Sequence, residues 1–460
     1  AQACTHPSTP TSRCPAWPTW SGGAAGIGTA RHSSAVRNAL CGGERRITAR
    51  FDKRCKNVAV TLTAAHSVIS TEDAPTPVKL NLPPLRLGKL EIETPVVLSP
   101  MAGITNSAFR RLCAEYGGGL YVCEMVTSRA LVERTEESMR IIKHAPEEAV
   151  RSIQLYGVEP NTVRAAVRML VEEDRADHID LNFGCPAPKV TRKGGGSALP
   201  WKLDLFKELL EAAVEEAHRG DIPLTVKVRK GIDDDHLTAL EAGKIARDLG
   251  VDGIAIHGRT TNQHYAGKAD WGSIAALREA LPDIPVIGNG DIFAAEDAVA
   301  MVEQTGVDAV QIGRGCQGKP WLFGDLQAAL QGSPERFHPN LGEVAGAFRR
   351  HAELLIEHFE DEFRGLQDLR KHVAWYFKGY QVGGDVRSGL ARVSSLEEMD
   401  GLLGQLDHSA PYPGAAAEGS RGRAGGVKRP HLPQDWLNSR QMDSNHKAMI
   451  SHAELDISGG

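Results

Sequence analysis

Cys185 follows the short apolar run HIDLNF (His178–Phe183) across a break at Gly184, and Pro186 fixes the backbone behind it. Lys189, Arg192 and Lys193 come next, in a Gly-rich stretch that ends at Ala198. A thiol at the end of a buried strand, facing a cationic loop, is placed to meet a substrate that carries negative charge. Taken alone it reads equally as a small buried hydrophobe. Other polar residues interrupt apolar runs in the same manner. They are Pro100, Met101 and Ala102, then Gln154, Asn182, Lys227, Arg229 and His257, then Asn289, Gly290 and Asp291, and finally Gly313 and Arg314. Gly-Asn-Gly-Asp and Gly-Arg-Gly expose backbone N–H groups without side-chain obstruction, and Arg314 adds a bidentate cation, which together suit a phosphate. With Lys227, Gln154 and the Pro100 loop around it, that phosphate fits FMN. Gln154 would meet an edge of the ring and Lys227 would stabilise charge on its reduced form.

The elements that must hold these residues are legible as eight apolar runs: PVVLSPM, GLYVCEM, RSIQLYG, HIDLNFG, LTVKVR, GIAIHGR, PVIGNGD and AVQIGRG. Between them lie stretches such as NTVRAAVRMLVEE and LDLFKELLEAAVEEAH, whose apolar residues recur at three- and four-residue spacing. Strands separated by helices must be parallel. Eight such units predict an α/β fold, a closed (β/α)8 TIM barrel over residues 79–335, in which every polar interruption falls at the catalytic face. A doubly wound sheet would want a G-x-G-x-x-G turn after its first strand, and none is there.

The totals agree with a soluble enzyme. The chain has 460 residues, 41% hydrophobic and 24% charged, with a formal net charge of −5, so a nucleic-acid partner needs a local basic patch. No run approaches the length of a membrane span. The eight cysteines form no C-x-x-C pair and no zinc-type spacing, which predicts no metal and a reducing, cytoplasmic setting.

In chain order, PMAGITN, QLYG, DLNFGCPAPKVTRKGGGSAL, VKVRKG, IHGRT, GNGDI and IGRG resemble the flavin-dependent tRNA-dihydrouridine synthases, most closely their bacterial B-type branch. The resemblance covers about residues 85–405, and its cysteine motif is its most specific part. It implies reduction of the C5–C6 double bond of uridines in tRNA by FMN, itself reduced by NADPH. It makes Cys185 the general acid and has Pro100, Met101, Ala102, Gln154, Lys227, Asn289, Gly290, Asp291, Gly313 and Arg314 hold FMN, with His257 close by. A thiol with an ordinary pKa near ~8.5 is protonated at neutral pH and suits protonation of carbon 5. The cations that follow Cys185 act against this by favouring thiolate. Asn182 and Arg229 are candidates to orient the uracil, or are loop supports.

Beyond Pro339 the pattern is all-helical, and residues 340–408 predict a small helical domain that binds tRNA. Arg370, Lys371 and Lys378, with Lys193 of the cysteine loop, are the candidate RNA contacts, interleaved with Trp375, Tyr376, Phe377 and Tyr380, which would either stack on bases or form helix core. Residues 1–78 and 409–460 read as a disordered N-terminal extension and a low-complexity tail. The acid-poor N-terminal extension also fits a transit peptide or a start placed too far upstream. A monomer is expected. Three other functions compete: a dihydroorotate-type dehydrogenase of a free pyrimidine, a non-redox sugar-phosphate barrel, and a non-catalytic RNA-binding protein.

Overall fold

A computed structural model describes residues 80, 82–422 and 424–453, so the expectation for residues 1–78 lies outside the described residues. Among the described residues eleven strands are present: β1 (Leu85–Leu87), β2 (Leu90–Ile92), β3 (Val96–Leu98), β4 (Leu120–Tyr121), β5 (Val126–Thr127), β6 (Ser152–Tyr156), β7 (His178–Phe183), β8 (Leu224–Gly231), β9 (Gly253–Thr260), β10 (Val286–Asn289) and β11 (Ala309–Ile312). Nine of them form one parallel sheet in the order β4-β3-β11-β10-β9-β8-β7-β6-β5. A parallel bridge from Val122, just past β4, to Ser152 on β6 closes that sheet on itself. β4 and β5 are therefore two pieces of one broken barrel stave, and the eight expected staves make a (β/α)8 barrel.

The antiparallel hairpin β1–β2 is an addition to the expected elements. Leu85, Leu87, Leu90 and Ile92 plug the floor of the barrel against Val97, Leu120, Val122, Ala255, Ile287 and Ala309. Its signal was in the sequence, as LRLGKLEI alternates apolar and polar around a Gly-Lys turn.

Side chains alternate across each stave, so one set faces the surrounding helices and the other the barrel axis. On β6 to β8 the outward set is apolar, with Ile153, Leu155, Ile179, Leu181, Val226 and Val228 in the main core. The inward set is Ser152, Gln154, His178, Asp180, Asn182, Thr225, Lys227 and Arg229. A barrel axis filled with polar groups is stable only if each is paired, since an unpaired buried polar group costs about 1–3 kcal/mol.

Helices at Leu341–Phe359, Glu362–Leu369, Val373–Tyr376, Gly384–Leu390 and Leu396–Leu403 form the expected helical region. The first is opened by a capping box in which the Asn340 side chain accepts from the Glu343 N–H at 2.9 Å and Glu343 accepts from the Asn340 N–H at 2.8 Å. Tyr376, Phe377 and Tyr380 are buried in this region's own core with Phe348, Leu366 and Met399. They are helix core and not base-stacking platforms, because their spacing turns them toward the long first helix. Residues 409–422 and 424–453 also depart from the expectation of an unstructured tail. Arg421 and Trp436 are buried at 3% and 1% exposure, and a helix covers Ser444–Ala453. Among the described residues no helix is long and apolar enough to cross a membrane.

Burial holds four imidazoles well below their ordinary pKa, His178 and His351 at about 3 and His144 and His358 at about 4. Below about pH 6.5 the unfolded chain protonates these groups and the folded chain does not, so stability is lost as pH falls from there toward 4. Asp325, raised to about 6 by burial, opposes the trend but is outnumbered. Thermal melts are expected to show a clear fall in Tm between pH 6.5 and 4.5, and a flat profile would contradict the burial of these rings.

Candidate active site

One cleft opens at the C-terminal ends of the staves. Its walls carry Pro100, Ala102, Gln154, Asn182, Cys185, Lys227, Arg229, His257, Asn289, Gly290, Asp291, Gly313 and Arg314. Met101 stands beside this wall, its sulfur 3.9 Å from where a Cβ on Gly313 would lie. The tight turn after β10 explains one of these positions. Gly290 has φ +129°, and a Cβ there would sit 2.7 Å from Ala269 Cβ. No residue with a side chain fits.

The polar interior of β6 to β8 forms one directional hydrogen-bond chain that ends under the cysteine. The backbone N–H groups of Gly184 and Cys185 donate to Asn182 Oδ1 at 3.1 and 2.9 Å. Asn182 must then turn its Nδ2 to Gln154 Oε1, at 2.8 Å. Gln154 in turn presents Nε2 to Asp180 Oδ2 at 2.6 Å. The other oxygen of Asp180 accepts from the Thr225 hydroxyl at 2.6 Å. Thr225 Oγ1 lies 3.0 Å from His178 Nε2, and His178 Nδ1 lies 2.8 Å from Ser152 Oγ. Backbone donors cannot reverse, so every amide in the chain has one permitted orientation. Neutral His178, with its proton on Nε2, completes the pattern.

Electrostatically the cleft is strongly cationic. Among the described residues, Lys227, Arg229, Arg259 and Arg314 line it against a single lining carboxylate, Asp291, which already accepts from Arg259 at 2.8 Å. His257 is held far below its ordinary pKa by burial and by these four cations. Burial brings Lys227 down to about 7, with Asp180 below it acting the other way. Its ammonium donates to Asn289 Oδ1 at 2.8 Å. Arg314 stacks 4.1 Å over the ring of Tyr265, and its Nη1 is buried without a partner. Gln311 Oε1, also on the lining, is equally unpaired. In this cationic cleft the unpaired Arg314 donor calls for an anion, and the unpaired Gln311 acceptor calls for an N–H or O–H donor.

The Cys185 thiol is pushed up from its ordinary pKa by burial, with the Ala187 N–H, Arg229 and Lys189 pulling the other way and losing. The tension seen in the sequence therefore resolves toward a protonated thiol. Its carbonyl is clamped by the Ser197 N–H and hydroxyl, both at 3.0 Å.

The dihydrouridine synthase family model matches residues 97–410, more than half of the chain. The chain belongs to the dihydrouridine synthase family. A protein of Mycobacterium tuberculosis named probable tRNA-dihydrouridine synthase is 51% identical over 362 residues, covering 77% of this chain and 92% of its own. One from Mycobacterium leprae with the same name is 49% identical over 390 residues, covering 79% and 100%. The tRNA-dihydrouridine synthase B of Pasteurella multocida is 37% identical over 315 residues, covering 68% and 93%, in keeping with the B-type resemblance.

This synthase family member is an oxidoreductase whose candidate residues do not all lie in the cleft. Lys193 is half-buried in the cysteine loop, outside the cleft walls. Lys371 donates to Asp368 at 2.6 Å and also to the Gly103 carbonyl, tying the helical region to the rim loop. Lys378 donates to the carbonyls of Glu418 and Ser420, the latter at 3.1 Å, and Arg370 donates to the Val393 carbonyl at 2.9 Å. Both Asn182 and Arg229 act as loop supports. Arg229 donates to the carbonyls of Gly184, Thr260 and His264 at 2.8, 3.0 and 2.9 Å. Sequence reasoning missed Arg259, Gln311 and Tyr265. The first two sit two residues from His257 and Gly313 on the same staves, so period-2 alternation places them on the same face. Tyr265 lies in a loop and carried no such signal.

Proposed function

We propose that the enzyme reduces uridine to 5,6-dihydrouridine in tRNA, with FMN held in the cleft and NADPH as reductant. The observation that carries this reading is a cleft of four cations with unpaired buried polar atoms that shares one wall with a protonated thiol. The turn after β10 and Gly313-Arg314 would hold the phosphate, with the free Nη1 of Arg314 directed to it. Pro100, Met101, Ala102, Gln154, Lys227, Asn289 and His257 would border the ring. When bound in its reduced form, FMN would supply the hydride equivalent that carbon 6 of the uracil takes up. Cys185 then gives its proton to carbon 5, where charge collects. Lys227, poised near neutrality, becomes fully protonated beside a negative ligand and offsets its charge. Asn182 and Arg229 would orient the base through the donors their loop contacts leave over, and Lys193, Arg370, Lys371 and Lys378 would face the RNA.

Mass spectrometry of tRNA incubated with the protein, FMN and NADPH tests the proposal directly. A gain of two mass units on uridine is expected, and unchanged tRNA with bound flavin would overturn it. Loss of one charge-assisted contact is worth about 1.5–3 kcal/mol. Arg314→Ala is therefore expected to weaken FMN binding by about 10- to 100-fold in a fluorescence titration. Unaltered affinity would remove Arg314 from the phosphate site.

A further inference from the structure

The segment that follows the helical region runs from Arg421 to Trp436 and lies beyond residue 410, where the family match ends. Both of its ends are buried anchors. At one end Arg421 donates to the carbonyls of Trp375 and Ala417, the latter at 2.8 Å. At the other, the Trp436 indole N–H donates to the Ala198 carbonyl at 2.9 Å, with the Lys202 ammonium 4.9 Å from its ring. Its ring lies against Gly194, at φ +76°, where a Cβ would meet it at 2.6 Å. Gly194 and Ala198 flank Ser197, the residue that clamps the Cys185 carbonyl, so the far anchor rests on the loop that carries the thiol. The helix-side anchor is reinforced where Lys319 pairs with Glu418 at 2.8 Å.

Between the anchors the chain is pinned once more, at the mouth of the cleft. The Lys428 N–H donates to the Asn262 carbonyl at 2.8 Å. Asn262 is three residues before Tyr265, which lines the cleft. Lys428 and His431 also lie near enough to His264 to help hold its imidazole down, after burial and Arg229. Residues 424–429 are all exposed, Val427 at 67%. From Ser420 to Gln434 the sequence holds no Asp or Glu, whereas the whole chain carries a net charge of −5. Three separate attachments restrain this exposed, Gly-containing backbone against its conformational entropy. They hold Lys428 and Arg429 in solvent at the rim. Ordered cations there meet a polyanion without first giving up freedom of their own.

We propose that residues 421, 422 and 424–436 are a strap that presents Lys428 and Arg429 to the phosphate backbone of the substrate RNA at the cleft mouth, with Arg421 and Trp436 as its anchors. It rests on the tRNA reading above and adds an RNA contact surface outside the helical region. Each phosphate contact contributes a salt dependence of about −0.9 to −0.7 in log K against log salt, depending on strand form. The test uses the full chain and an unmodified tRNA transcript, titrated across a salt series. Native protein is expected to bind with a steep slope. K428E/R429E is expected to bind about tenfold or more weakly at low salt, with the slope reduced by roughly 1.5 to 2 and its melting temperature unchanged. Trp436→Ala is expected to reproduce the loss of slope without altering any charge, and Trp436→Phe, which keeps the ring, to restore most of it. Variants that match native affinity and slope would overturn the strap. Native protein without salt-dependent tRNA binding would instead overturn the reading on which it rests.

Discussion

Cys185→Ala is expected to lower dihydrouridine formation by about 10²- to 10⁴-fold, the range supplied by a positioned general acid, while tRNA and FMN still bind. The thiol stands on the cleft wall, and the clamp of Ser197 on the Cys185 carbonyl remains when the sulfur and its contact with the Ala187 N–H are removed, so the loop keeps its main attachment. Single-turnover mass spectrometry of tRNA, paired with a binding titration, measures both halves. Full turnover by the alanine variant would remove the proposed proton donor. Burial raises the thiol, so the native enzyme is also expected to hold its activity above ordinary thiol pKa values near ~8.5 before an alkaline limb appears.

Asp180→Asn is the second large effect, although Asp180 does not line the cleft. Its two oxygens accept from Thr225 and Gln154, and this fixes the direction of every hydrogen bond between it and Cys185. An amide that turns its Nδ2 to Thr225 makes that hydroxyl donate to His178 Nε2 instead, so the His178 proton must move to Nδ1 beside Ser152. An amide that turns its Nδ2 to Gln154 makes Gln154 and Asn182 both reverse, and the N–H groups of Gly184 and Cys185 lose their acceptor. Each orphaned or opposed buried group costs about 1–3 kcal/mol. We expect a Tm several degrees lower and turnover reduced more than tenfold, with KM for tRNA nearly unchanged because the RNA-facing surface is untouched. A variant with native turnover would show that the column is only packing.

Gln154, Asn182, Lys227 and Asn289 could be named from sequence because each interrupts an apolar run, and a polar group there has to be paired or used. Arg259 and Gln311 were within reach of the same rule applied one pleat later and one pleat earlier, respectively. Asp180 and His178 were legible as polar residues in a strand, but their pairing across three staves was not, since it depends on register. The basic residues of the helical region show the opposite case. Their composition suggested free cations, yet Lys378 and Arg370 are engaged by backbone carbonyls at 3.1 and 2.9 Å.

By itself the sequence determined the alternation of strand and helix, the closed barrel, the rim on which the polar residues fall and the family. These follow from local period and from the rule that strands joined through helices run parallel. Tertiary structure alone decided that the broken second stave closes the ring, that burial keeps Cys185 protonated against its neighbouring cations, and that Trp436 seats on the cysteine loop. The reason is physical. Burial, desolvation and register arise only when residues hundreds of positions apart are brought together, and no local pattern carries that information.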